Sequence, residues 1–185
     1  FVDLDGNKVI DEKDKEVIGN TNPDFYGSFN AGFKYKRLSL NVMFNYSYGN
    51  DVYNYMRSPV ESGSTFYNQT TAMNNRWLTE GQKTSIPRST YGDPMENNRF
   101  SDRWVEDGSY LRLRNVELAY DIPTGKLGFL QGITVWASAN NLLTLTKYLG
   151  ADPEFAAGNN IYYRGIDIGL VPQSKSFNAG FKVYL

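Results

Sequence analysis

Residues 38–48 read LSLNVMFNYSY, and this strict alternation constrains the fold more than any other feature of the chain. Leu38, Leu40, Val42, Phe44, Tyr46 and Tyr48 fall on one parity; Ser39, Asn41, Met43, Asn45 and Ser47 fall on the other. A helix would scatter the two sets around its circumference, whereas a strand puts each set on its own face. The segment is therefore a strand with one apolar and one polar face. Just before it, SFNAGFK (28–34) continues the pattern, with Phe29, Ala31, Phe33 and Tyr35 opposed to Ser28, Asn30, Gly32 and Lys34. The same seven letters return at 176–182, where Phe177, Ala179, Phe181, Val183 and Leu185 oppose Ser176, Asn178, Gly180, Lys182 and Tyr184. A spacing of about 150 residues is too long for a solenoid or propeller repeat, so both copies are read as answers to the same local problem.

Two more strands are expected at 110–121 (YLRLRNVELAYD) and 132–144 (GITVWASANNLLT). In the former the apolar parity switches between Leu113 and Val116, which marks either a β-bulge or a strand end. Soluble strands have a mode of about 5–6 residues, whereas tilted membrane-crossing strands need about 9–11. All five strands here fall in the longer class. Their connections alternate: a tight turn at Lys36–Arg37, a long stretch, a short IPTGKLGFLQ, then another long stretch. Short turns alternating with long loops are the pattern of an outer-membrane barrel. With the C-terminus on the periplasmic side, every long loop falls outside and both copies of SFNAGFK run in the same direction. Five strands cannot close a barrel, and an open sheet edge is not tolerated in lipid, so further strands must complete the wall.

Composition agrees. The chain has 14 Tyr, 11 Phe, 3 Trp and 17 Gly, a mixture that favours strands and turns. It has neither Cys nor His, which removes disulfides, thiolate metal sites and the commonest general base. A net charge of −1 offers nothing to nucleic acid. No apolar run is long enough for a membrane-spanning helix, and a mean hydropathy of −0.50 is compatible with membrane-crossing strands. The chain opens at Phe1 inside a motif, so it is read as the C-terminal portion of something longer. A soluble secreted β-sandwich that binds glycans and calcium gives the same alternation and is the competing reading.

RWVEDGSYLRLRNVELAYDIP (103–123), ASANNLLTLTKYLGADPEF (137–155) and GIDIGLVPQSKSFNAGFKVYL (165–185) resemble the C-terminal barrel segment of SusC/RagA-family TonB-linked outer-membrane transporters. DLDGNKVIDEKDKEVIGNTNPDFYGSF (3–29) resembles the family's lead-in to its late strands. NAGFKVYL resembles the terminal assembly signal of outer-membrane proteins, with Leu185 where an aromatic residue often stands. The resemblance implies an all-β, antiparallel transmembrane barrel of about 22 strands with long extracellular loops. It implies a plug and a TonB-contacting segment, both outside these residues. It also implies import of oligosaccharides or peptides across the outer membrane of a Gram-negative bacterium, together with a SusD-like surface lipoprotein. The expected organisation is an outer loop at 1–24, a hairpin at 25–48, a long outer loop at 49–109, two strands within 110–144, an outer loop at 145–172 and the last strand within 173–185.

The sharpest chemical motif is DLDGNKVIDEKD (3–14). As a twelve-residue calcium loop it would supply Asp3, Asp5, Asn7, the Val9 carbonyl, Asp11 through water, and Asp14, a set of hard oxygens suited to that ion. It departs from the usual pattern in having Lys8 at the sharp-turn glycine position and the shorter Asp at the close. The bland alternative is an Asx-rich turn whose carboxylates cap their own backbone. Within 49–109, Ser64 is expected to cap a helix that carries Phe66, Thr70, Met73 and Trp77 on one face and ends near Gly81. Tyr53, Tyr55, Phe66, Trp77, Tyr91 and Trp104 are candidate platforms for a sugar ring or for a lipoprotein lid, against the alternative of loop packing. Glu61, Glu80, Asp93, Glu96, Asp102, Glu106 and Asp107 invite a glycosidase reading, which needs two carboxylates at a defined separation; polar outer loops carry acids routinely, and the chain is read as a non-enzyme. Asp152 and Asp167 are expected to accept hydrogen bonds within the last loop. Arg112 and Arg114 are expected to face the lumen, where plug carboxylates or water would meet them. Phe44→Arg should disrupt the wall, and Asn45→Arg should be tolerated.

Overall fold

The computed structural model describes residues 1–123, 125, 131–155 and 161–185. Five long strands form one antiparallel sheet: β1 (Phe25–Tyr35), β2 (Leu38–Tyr48), β5 (Tyr110–Ile122), β6 (Gly132–Thr146) and β8 (Ser176–Tyr184), in that order across the sheet. Between them in the chain lie β3 (Asp51–Asn54), β4 (Val105–Asp107) and β7 (Ile166–Asp167), which form a second, small sheet in the order β4-β3-β7. A short helix, α1, covers Arg57–Glu61.

Register turns the sequence alternation into two continuous faces. Phe29 stands opposite Phe44, Phe33 opposite Leu40, and Tyr46 opposite Leu111. Leu118 pairs with Ala137, and Val135 with Phe181. One face of all five strands is therefore apolar. The other carries Asn30, Asn41, Asn45, Arg112, Asn115, Ser138, Asn140 and Asn178. The parity switch is a bulge and not a strand end: both neighbours of β5 shift register around Arg114, and Asn141 takes φ 53° across from it. The extra residue restores Val116, Leu118 and Tyr120 to the face that holds Leu111 and Leu113. At the β1–β2 turn, Lys36 takes φ 54° between the paired Tyr35 and Leu38. The matching connection between β5 and β6 lies largely outside the described residues.

Among the described residues the long strands fully bury only Arg112 and Ala139. Phe177 and Phe181 are 74% and 73% exposed, and apart from Ala139 the buried apolar residues Val52, Met73, Trp104 and Tyr148 all lie off its long strands. In water this would be a broad apolar surface of the kind that marks an interaction or membrane face. The core sits instead among the long connections, all of which emerge from one end of the sheet.

The helix expected at 64–81 is not formed. A tight 3₁₀ turn at Thr71–Asn75 is the helical element there. Distant partners take the backbone groups: Thr70 N donates to Val60 O at 2.9 Å and Trp77 N to Ile86 O at 2.9 Å. Side chains compete too, with Leu78 N donating to Gln82 Oε1 at 2.8 Å and Thr84 Oγ1 to Asn75 O at 2.5 Å. Such alternatives draw the chain away from the i→i−4 ladder.

Candidate functional site

The acidic loop at 3–14 is an exposed mesh of carboxylates accepting from backbone. Asp3 accepts from Gly6 N and Lys8 N, both at 2.7 Å. Asp14 accepts from Leu4 N and Asp11 N, also both at 2.7 Å. Asn7 Oδ1 accepts from Val9 N at 2.7 Å, while Asn7 Nδ2 reaches Asp5 at 3.1 Å. Lys8 takes φ 67°, supplying the left-handed turn that a glycine would make without cost. Ligand oxygens of Asp3, Asp5 and Asp14 lie within 4.8 Å of one another. Asp11 stays outside that trio and caps the Glu12–Asp14 turn through Lys13 N. The hydrogen bonds from Asp11 N and Leu4 N hold the Asp14 carboxyl below its usual pKa, because they favour its charged form. The three converging carboxylates are hard oxygens of the kind calcium takes, although Asn7 turns its amide nitrogen, not its oxygen, toward Asp5. Arg99 ties this loop to the long connection by donating to Ile10 O at 3.0 Å.

At the loop end of the sheet, polar groups lock three distant segments together. Glu106 on β4 accepts from Arg57 Nη1 at 2.7 Å, Asn54 Nδ2 at 3.2 Å and Leu149 N at 2.8 Å. Arg57 also holds Glu61 at 2.7 Å, and Thr70 donates to the other oxygen of Glu61 at 3.2 Å. Burial opposes the charge on Arg57, but its bonds to Glu61 and Glu106 prevail and raise its pKa. The phenol of Tyr148 donates to Asp167 at 2.5 Å, and Asp167 also accepts from Gly169 N at 2.8 Å. Burial first, and Asp167 second, push the Tyr148 pKa well up. Of the seven loop carboxylates that invited a glycosidase reading, Glu61 and Glu106 are thus joined through one guanidinium and are already satisfied.

The candidate aromatic platforms do not converge. Phe66, 90% exposed, stacks on Tyr91 at 4.7 Å between centroids. Tyr53 stacks on Phe100 at 4.4 Å and leans on Tyr55 at 6.5 Å, forming a second cluster. Trp77 is half-buried beside Gln69, Met73 and Arg76 in a cleft of the long connection. Trp104 departs from the expectation: it is 0% exposed, with the Arg103 guanidinium 4.5 Å and that of Arg57 5.7 Å from its ring. Its indole N–H donates to Arg99 O at 3.3 Å. Enclosed in this way, it packs the loops and presents no ring face to a ligand.

Arg112 departs in a second respect. Its partners are carboxylates of this chain's own last connection: Asp152, and Glu154 at 3.3 Å. Asp152 and Asp167 do act as acceptors within that loop. Sequence reasoning missed the small β4-β3-β7 sheet, because two- to four-residue strands leave no periodic signal.

An exposed apolar face across five long strands, with a structured polar cap at one end, defines a segment of an outer-membrane β-barrel wall. The comparisons with known proteins narrow the class. The TonB-dependent receptor P3 of Formosa agariphila is 37% identical over 190 residues, covering 99% of this chain and 18% of that protein. The TonB-dependent receptor SusC of Bacteroides thetaiotaomicron is 26% identical over 187 residues, covering 99% of this chain and 17% of that protein. Among solved structures, the RagAB peptide importer in its closed-closed state matches with a TM-score of 0.76 at 31% identity, over 99% of this chain and 20% of that one. The open-open state of the same importer matches with a TM-score of 0.74 at 30% identity, over 88% of this chain and 17% of that one. No family model matches the sequence. By sequence and by fold the chain is of the SusC/RagA family of TonB-dependent receptors, as its motifs imply. It spans about a fifth of the length of the relatives it matches.

Proposed function

We propose that this chain forms wall and outer loops of an importer that moves oligosaccharides or peptides across the outer membrane, working with a SusD-like surface lipoprotein and driven through TonB. In this reading the apolar face meets lipid, the polar face lines the lumen, and the C-terminus lies on the periplasmic side. The observation that carries it is the continuous apolar face from β1 to β8, exposed or half-exposed apart from Ala139, with the long structured connections at one end. A secreted sandwich would bury that face against a second sheet, and among the described residues nothing covers it. Peptide cargo draws support from the likeness to the RagAB peptide importer, oligosaccharide cargo from the exposed stacked rings. The loop at 3–14 is proposed to hold calcium as a structural brace for the lead-in to β1.

Membrane fractionation of the full-length protein tests the central reading. The protein should partition with outer membranes, require detergent, and migrate differently on gels before and after boiling. A detergent-free monomer with unchanged migration would end it. Co-purification of a surface lipoprotein tests the partnership.

A further inference from the structure

Asp152 holds three separate stretches of chain at once. One oxygen accepts from a guanidinium nitrogen of Arg112 on the polar face of β5 and from Glu154 N at 2.9 Å; the other accepts from Gln173 N at 2.8 Å. The wall, the outgoing leg of the β6–β8 connection and its returning leg thus meet on one carboxylate. Glu154 adds a second contact, 3.3 Å from Arg112 Nη1 and 3.5 Å from Arg114 Nη1. On the returning leg, Asn141 Nδ2 of β6 donates to Ser174 O at 2.9 Å. The Arg112 and Asp152 side chains are 2% and 8% exposed. Buried to that degree, neither charge is stable without the other, because losing one leaves its partner desolvated and unpaired.

We infer that this cluster is a latch. It fixes both feet of the β6–β8 connection to the polar face, so that neither foot hinges at the mouth of the barrel as the base of a lid would. A hinge needs a few residues free to change φ and ψ, and here the backbone of Glu154, Gln173 and Ser174 is engaged on both sides of the would-be pivot. Opening and closing of the mouth then falls to other loops or to the partner. The inference rests on the barrel reading for the statement that the polar face is the lumen.

Amide hydrogen exchange on the full-length protein in detergent tests it, read over 148–155 and 170–175. Arg112→Ala and Asp152→Ala should each speed exchange in both legs by about tenfold or more, leaving β5 and β6 unchanged. The double variant should be no worse than the harsher single one, since one interaction is being removed twice. If Arg112→Ala does not assemble, Asp152→Asn keeps the shape, removes the charge and should show the same loosening. Unchanged exchange in the returning leg, additive effects, or wild-type legs that exchange like free chain would each overturn the latch. Failure of the barrel reading registers separately, as a protein that needs no detergent.

Discussion

Trp136 on β6 lies directly across from Gly180 on β8, so close that a Cβ added at 180 would sit 2.8 Å from the indole Cζ2. In the other copy of SFNAGFK the matching glycine, Gly32, faces Asn41, and an added Cβ would sit 3.0 Å from the amide oxygen. A ring packed on the sheet yields little; the tip of an asparagine can rotate away. Gly180→Ala should therefore destabilise by about 1–3 kcal/mol and lower the yield of assembled barrel, whereas Gly32→Ala should cost less. Denaturant unfolding in detergent micelles measures both, and equal costs would remove the distinction.

The two faces make opposite demands. Phe44→Arg places a charge on the apolar face and should cost about 2–4 kcal/mol near the bilayer midplane. Asn41→Arg, on the polar face opposite Glu117, should be neutral. Asn45→Arg, tolerable on parity alone, should now fail, because Asn45 stands directly across from the buried Arg112 and would oppose like charges. Folding yield into vesicles orders the three; equal damage from Phe44→Arg and Asn41→Arg would contradict the face assignment.

Packing aromatics separate from exposed ones. Trp104→Ala should destabilise the loop cap by about 3–5 kcal/mol, as for other fully buried large residues. Phe66→Ala and Tyr91→Ala should leave stability within about 0.5 kcal/mol, so that any change they bring is read as cargo or partner binding. Limited proteolysis of 49–109 reports the first effect, and equilibrium binding reports the second.

Calcium offers a conditional test. Replacing Asp3 and Asp5 together by Ala should lower the melting temperature more with calcium present than without it, since a ligand stabilises the state it binds. Identical melting with and without the metal in the wild-type protein would retire the brace.

Acid should loosen the same loop without metal. The Asp14 pKa is lowered in the folded state, so its contribution is present above the ordinary carboxylate value and is lost as pH falls through the depressed one. Protection of the Leu4 and Asp11 amides, corrected for intrinsic exchange, should persist at pH about 5 and fade below about 4. In Asp14→Asn the protection should be weak throughout.

Alternation between Leu38 and Tyr48 and the two SFNAGFK copies determined the strands and their faces from sequence alone, and the parity switch between Leu113 and Val116 marked where β5 had to bulge or end. Those features are local: a period of two is imposed by the backbone whatever lies beyond it, and an extra residue must shift the parity. Asp3, Asp5 and Asp14 were legible for the same reason, since one tight loop gathers them. Tertiary structure alone decided that Arg112 meets Asp152 forty positions on, that Trp104 is buried beside two guanidinium groups, and that identical glycines at 32 and 180 face an amide and an indole. Each depends on which distant segment the fold brings alongside, and non-local pairing leaves no periodic trace in the residues that take part.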